Sequence, residues 1–268
     1  MSAEPQVAPV RLRSLALPAE HGSWGFLLEP IALALVLCPT RTGAWLALAA
    51  TCAFLARHPL KLVLGDRRRG SVAPRTAVAA RVALAYSAFA LAAFGTALAS
   101  APPSVWVPVL LAAPLAAFAV LRDAAGQSRD LAAELSGAVA LAASAGAIAL
   151  AGGWSLPAAL LLWLVLAARD ATAILYVRTR IRLDRGAAAG TPLVVASHGL
   201  ALFVSAGLAA VAALPWLAVA AFAALLARAA HGVSRSRALL KPKQLGRQEL
   251  GYGALVLLLL ALGYGLGV

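Results

Sequence analysis

The chain has 268 residues, of which 62% are hydrophobic and only 12% charged, with a mean hydropathy of +0.87 and a formal net charge of +13. Soluble domains average about 25% charged residues, so these values exclude an ordinary soluble domain and leave a polytopic membrane protein. The alternating strands of an outer-membrane barrel are absent, while Ala, Leu and Gly dominate, so the expected class is an all-α bundle packed closely through small residues.

The first seventeen residues hold Glu4, two prolines, Arg11 and Arg13 and no continuous apolar core. They are expected to form a cytoplasmic N-terminal segment, 1–17, rather than a signal peptide, followed by a single transmembrane domain over 18–268. A helix crossing the hydrocarbon needs about 20 apolar residues. Nine stretches qualify, some only with flanking residues: 24–38, 43–64, 77–99, 104–121, 131–152, 154–177, 190–214, 216–230 and 250–268.

The cations alternate along this series. All 23 Lys and Arg except Arg41 and Arg81 fall before span 1 or around the junctions of spans 2 and 3, 4 and 5, 6 and 7, and 8 and 9. The intervening connections, near Pro39, Pro102, Gly153 and Pro215, carry almost none. That is the positive-inside pattern, and it predicts a multi-pass protein of the bacterial inner membrane with its N-terminus in the cytoplasm and its C-terminus outside. Basic charge arranged this way serves topology, so the lipid bilayer is the expected partner and nucleic acid is not. Cys38 and Cys52 lie in or beside apolar spans with no further ligand at metal-binding spacing, so they are expected as buried small hydrophobes.

The polar residues at the basic ends of the spans form five islands. In the first, Glu20-His21-Gly22-Ser23-Trp24 opens span 1, where Glu20 suits a helix N-terminus. Glu29 lies nine residues further on, about 13 Å deeper at 1.5 Å per residue. A carboxylate at that depth costs about 2.5–3.5 kcal/mol unless paired or protonated, and Pro30 beside it predicts a local kink. In the second island Arg57-His58-Pro59-Leu60-Lys61 closes span 2, with Arg57 and Lys61 sharing a helix face and inviting an anion between them. The third opens span 5: Asp130 suits an N-cap, but Glu134 shares its face, and two carboxylates at that spacing require a cation, a shared proton or an Arg from another helix.

In the fourth island, Arg169, Tyr176 and Arg180 share one face of span 6, with Arg178 nearby; buried arginines favour carboxylate or phosphate partners. The fifth, Lys241-Pro242-Lys243-Gln244-Leu245-Gly246-Arg247-Gln248-Glu249, precedes span 9 and suggests a shaped loop. His198 in span 7 is expected to make a helix-helix hydrogen bond, with proton carriage as the alternative, and His231 to lie on a loop surface. Together these groups predict a charged cavity facing the cytoplasm, suited to an anionic amphipathic small molecule such as an isoprenoid or lipid phosphate. Arg57, His58, Lys61, Arg169, Tyr176, Arg178, Lys241, Lys243 and Glu249 would bind it, while Glu20, His21, Glu29, Asp130 and Glu134 would orient the cations or handle protons.

Glu20-His21-Gly22-Ser23-Trp24 with Pro30, Arg57-His58-Pro59-Leu60, and Lys241-Pro242-Lys243-Gln244-Leu245-Gly246 with Glu249 resemble the YwiC-like family of bacterial integral membrane proteins, from residue 18 to about 260. That resemblance implies the membrane class and no particular activity. A weaker likeness is to the UbiA-type intramembrane prenyltransferases, which imply nine helices and an inner-face cavity holding a prenyl pyrophosphate through magnesium on two Asp-rich motifs. This chain departs from them: Arg57, His58 and Lys61 stand at the end of span 2, with only Asp66 beyond, and Asp170 is followed by arginines. Two magnesium ions need several carboxylates, so no metal and no cofactor is expected, and direct Arg or Lys contact would replace them. Whether the protein is an enzyme is left open, with a proton-coupled small-solute transporter using Glu29 and His198, and a non-catalytic membrane scaffold subunit, as the other readings.

Overall fold

Ten helices, and no strand, account for nearly all of the described residues. The structure is a computed structural model that describes residues 12–18, 23–70 and 74–267. A short α1 (Leu12–Ala16) is followed by α2 (Ser23–Leu37), α3 (Arg41–Arg68), α4 (Pro74–Leu98), α5 (Trp106–Ala124), α6 (Leu131–Ala151), α7 (Leu156–Asp184), α8 (Thr191–Ala210), α9 (Trp216–Val233) and α10 (Pro242–Leu266). A single 3-10 turn, Pro103–Val105, leads into α5.

The nine expected spans correspond one for one to α2–α10. Eight of these helices are long and apolar enough to cross a membrane; α2, with 15 residues, is the short one. At 1.5 Å per residue α2 covers about 22 Å of a hydrocarbon layer about 30 Å thick. By the same rise α3 and α7 run to about 42 and 44 Å, so each extends well past the hydrocarbon. Their surplus turns carry Arg57–Arg68 and Arg178–Arg182, which puts cations at head-group level. Local chemistry marks the helix starts: Thr40 Oγ1 accepts from Gly43 N at 3.0 Å at the start of α3, and proline occupies the first turn of α7, α8 and α10. There the backbone N–H it lacks has no helical partner to lose. Pro30 and Pro59 lie within α2 and α3, both buried, and neither ends its helix.

Helix α6 lies at the centre, packed against α2, α3, α5 and α7. Its run Ala142–Leu150 is almost wholly buried, which is what an Ala-rich face achieves by letting neighbouring backbones approach. Trp163 of α7 donates from its indole N–H to Val139 O of α6 at 2.8 Å. Beyond α7 the chain adds α8, α9 and α10, and α10 returns to pack on α2. The outer faces of α4 and α8 expose Leu84, Phe89, Leu91, Leu200 and Phe203, large apolar side chains suited to lipid. Inside the expected 1–17 segment, α1 packs on α3 and α4 with Leu15 buried. Cys38 and Cys52 are free and buried.

Candidate functional site

The polar side chains gather at the end of the bundle where α2 and α10 begin and α3, α5, α7 and α9 finish. Two groupings stand out, one on either side of α2.

The first is an open cleft of about 450 Å³, mouth included, lined by Pro18, Ser23, Phe54, Arg57, His58, Lys61 and Asp123. Arg57 donates through Nε to Asp123 Oδ2 of α5, and Lys61 donates to Ser128 Oγ at 3.0 Å. His58 Nε2 lies 3.1 Å from the carbonyl oxygen of Ser14, tying α3 to α1. Two cations thus face one carboxylate, and the other oxygen of that carboxylate, Asp123 Oδ1, is buried with no hydrogen-bond partner among the described residues. Phe54 gives the cleft an apolar wall. Glu20 and His21 lie outside the described residues, but Pro18 and Ser23, which flank them in the chain, both line the cleft.

The second grouping is buried. Arg169 of α7 holds two acids at once: its Nη2 donates to Glu29 Oε1 at 3.0 Å, with Oε2 at 2.9 Å, while its Nη1 donates to Asp170 Oδ1 at 3.0 Å. Next to it, Arg228 of α9 pairs with Glu249 of α10, and its Nη2 meets His198 Nε2 at 3.2 Å. The guanidinium of Arg228 also lies over the rings of Tyr176 and Tyr252, 4.1 and 5.3 Å from their centroids, a favourable arrangement for a cation on a π face. Two glycines permit this crowding. A Cβ at Gly253 would lie 2.1 Å from Glu29 Oε1, and one at Gly232 would lie 2.2 Å from the Tyr176 hydroxyl. Only hydrogen at those positions lets α10 and α9 close over the charged side chains.

The remaining candidates sit apart from both groups. Asp130 occupies the N-cap position of α6, yet its side chain makes no cap hydrogen bond and turns to Arg122 at 2.7 Å. Glu134 pairs with Arg178 at 2.8 Å, and the same Arg178 nitrogen donates to Arg129 O at 2.8 Å. The two carboxylates that share a face therefore each have a separate arginine. Lys241 and Lys243 are exposed, and the Lys241 backbone N–H donates to Gln244 Oε1 at 2.8 Å to start α10. His231 is exposed at the end of α9. The cleft thus collects Arg57, His58 and Lys61, the buried network collects Glu29, Arg169, Tyr176 and Glu249, and Glu134 with Arg178 forms a third, half-exposed contact. No three His, Cys, Asp or Glu side chains gather in a way that could hold a metal ion among the described residues.

Sequence reasoning passed over two participants. Asp123 follows Arg122 in a stretch that reads as an ordinary basic flank, and Arg228 counts there only as one more cation of the positive-inside pattern. For Arg228 a signal existed: an ionisable residue still inside an apolar span is by default a functional or paired group.

Residues 17–149 match the family model described as YwiC-like protein. No curated protein and no solved structure matches. The matched stretch carries the whole lining of the cleft, together with Glu29, Asp130 and Glu134. The island at Lys241–Glu249 lies beyond it, as do Arg169 and Arg228.

Proposed function

Taking the chain as a multi-pass membrane protein that is YwiC-like over residues 17–149, we propose that its cleft between α2, α3 and α5 binds the anionic head of an amphipathic molecule at the cytoplasmic face of the bacterial inner membrane. The observation that carries this reading is the charge balance of the cleft, whose lining among the described residues holds the cations of Arg57 and Lys61 and one carboxylate, that of Asp123. An added anion satisfies that surplus. Guanidinium and ammonium side by side are a familiar phosphate-holding pair, the first bidentate and the second a point charge.

Orientation follows from charge. The end bearing the cleft also bears nearly all the cations, so it faces the cytoplasm, with the N-terminus inside and the C-terminus outside. The reading is one of binding and assigns no bond-making step. Arg169 and Arg178 have carboxylates of their own and act in it as struts rather than as ligand contacts.

Purified protein titrated with a prenyl diphosphate, and separately with inorganic phosphate, tests the proposal. Binding of the amphiphile should be stronger than that of phosphate, independent of magnesium, and weakened at least about tenfold, or 1.4 kcal/mol, by Arg57→Ala together with Lys61→Ala. Unchanged binding in that double variant rejects the assignment.

A further inference from the structure

The carboxylates and guanidiniums of this bundle can be matched one against another. Asp123 faces Arg57, Asp130 faces Arg122 and Glu134 faces Arg178, while Asp66 faces Arg75 and Arg69 and Asp184 faces Arg180 and Arg237. Every one of these acids has at least one guanidinium to itself. The buried network on the other side of α2 is different: three acids, Glu29, Asp170 and Glu249, share two guanidiniums, Arg169 and Arg228.

His198 does not make up the difference. A guanidinium only donates, so the contact of Arg228 Nη2 with His198 Nε2 requires that nitrogen to be an acceptor. The ring proton then sits on Nδ1, which lies 2.8 Å from Val194 O, where it donates. His198 is therefore the neutral imidazole, and protonating it would turn a hydrogen bond into a clash of two cations. Around the network, Tyr176 of α7 and Tyr252 of α10 present rings to Arg228. Of the ionisable groups on the other helices packed against α2 and α7, Arg57, His58 and Lys61 of α3 are engaged in the cleft and Glu134 of α6 with Arg178, while Lys243 and Arg247 of α10 and His231 of α9 are exposed.

One negative charge is left over in a place that disfavours it. The side chains of Arg169 and Asp170 are 4% and 2% exposed, and that of Glu29 is 11% exposed. Buried carboxylates without a compensating charge take up a proton instead. Asp170 Oδ2 is buried and without a hydrogen-bond partner among the described residues, so it is free to carry the proton, while Glu29 Oε2 accepts no hydrogen bond but lies 2.9 Å from Arg169 Nη2. A metal ion is not the better answer, because no three ligating acids or imidazoles converge there among the described residues.

From this geometry we infer that Glu29, Arg169 and Asp170 form a one-proton binding site, in which two carboxylates straddle a guanidinium and share a single exchangeable proton. Arg169 keeps the first negative charge, and the proton neutralises the second. Glu29, the more exposed of the two acids, is the member through which the proton enters and leaves, and Asp170 is the enclosed one. The site is independent of the cleft and stands whether or not the cleft binds an anion.

Infrared spectroscopy of the purified full chain in lipid bilayers tests it. At neutral pH the wild-type protein should show the C=O stretch of one protonated carboxyl group, sensitive to exchange of H2O for D2O. Glu29→Gln and Asp170→Asn each leave one carboxylate for one guanidinium, so the band should vanish in both, while Glu134→Gln leaves it unchanged. Absence of any exchangeable protonated-carboxyl band in the wild type overturns the inference without recourse to a variant. A band of full strength in both Glu29→Gln and Asp170→Asn overturns it equally, because the proton would then reside elsewhere.

Discussion

Gly253 of α10 lies against the carboxylate of Glu29 on α2, so closely that a Cβ at 253 would come within 2.1 Å of Oε1 and 2.7 Å of Arg169 Nη2. The contact joins two helices far apart in sequence through a hydrogen atom and an ion pair. Gly253→Ala cannot be accommodated by rotating a loose side-chain end, since Glu29 and Arg169 hold each other. Overpacking a fitted interior costs about 1–3 kcal/mol, and this replacement should sit in the upper part of that range. Gly251→Ala, on the same helix with nothing within 4 Å of the new carbon, should leave stability unchanged or raise it slightly through helix propensity. Thermal unfolding of the two variants in detergent micelles gives the comparison, and equal melting temperatures would count against the close approach.

Arg169 and Glu29 should respond unequally to neutralisation. Arg169→Gln leaves Glu29 and Asp170 facing each other with no cation between them, and breaking a buried pair in this way costs about 3–5 kcal/mol. Glu29→Gln leaves Arg169 with Asp170 and removes only the surplus acid, so the loss is that of a hydrogen bond, about 0.5–1.5 kcal/mol. The ordering, measured by thermal unfolding, matters more than either value. If Glu29→Gln unfolds as readily as Arg169→Gln, the network has no surplus acid.

How much of this could be read beforehand divides along a physical line. Helix positions followed from stretches of apolar residues, a local signal. The need of Glu29 and Glu134 for partners was also legible, because an acid in an apolar helix has few alternatives. Which arginine answers which acid was not legible: Glu29 meets Arg169 across 140 positions of sequence, and only the packing of α2 against α7 brings them together. Grouping Arg57, Arg169 and Arg178 into one cavity followed from their shared depth, and depth says nothing about position around the bundle axis. His198 illustrates the same limit, since its neutral state depends on Arg228 of another helix.

Two ion pairs of similar geometry should differ in strength. The side chains of Arg178 and Glu134 are 38% and 32% exposed, whereas those of Arg228 and Glu249 are 4% and 15% exposed. Exposed pairs contribute about 0–1 kcal/mol and are screened by salt. A double-mutant cycle with Glu134→Gln and Arg178→Gln should therefore give a coupling energy under about 1 kcal/mol that falls as salt is added. The corresponding cycle with Glu249→Gln and Arg228→Gln should give a larger coupling that salt leaves alone.

Topology gives a prediction that turns on α2. If that 15-residue helix crosses with the others, the nine helices α2–α10 put the two chain ends on opposite sides of the membrane. A reporter active only outside the cytoplasm should then work when fused after the C-terminus and fail when fused before the N-terminus. Activity at both ends, or at neither, would mean that α2 enters and does not cross.

Asp123 offers the sharpest test of the cleft, because its removal should improve binding rather than impair it. In the resting protein its carboxylate takes up Arg57, so an incoming anion must compete with it for the guanidinium. Asp123→Asn keeps the shape of the side chain, removes the negative charge and leaves Arg57 and Lys61 both available. Affinity for a prenyl diphosphate should rise several-fold, with a steeper dependence on salt because one more unshielded cation now takes part. Stability should fall at the same time, since Arg57 loses its partner while its side chain is still three-quarters buried. Gain of binding with loss of stability is a combination that simple damage to the fold does not produce. An Asp123→Asn protein that binds the amphiphile more weakly than the wild type would mean that the carboxylate belongs to the binding surface and that the cation surplus is not what draws the ligand.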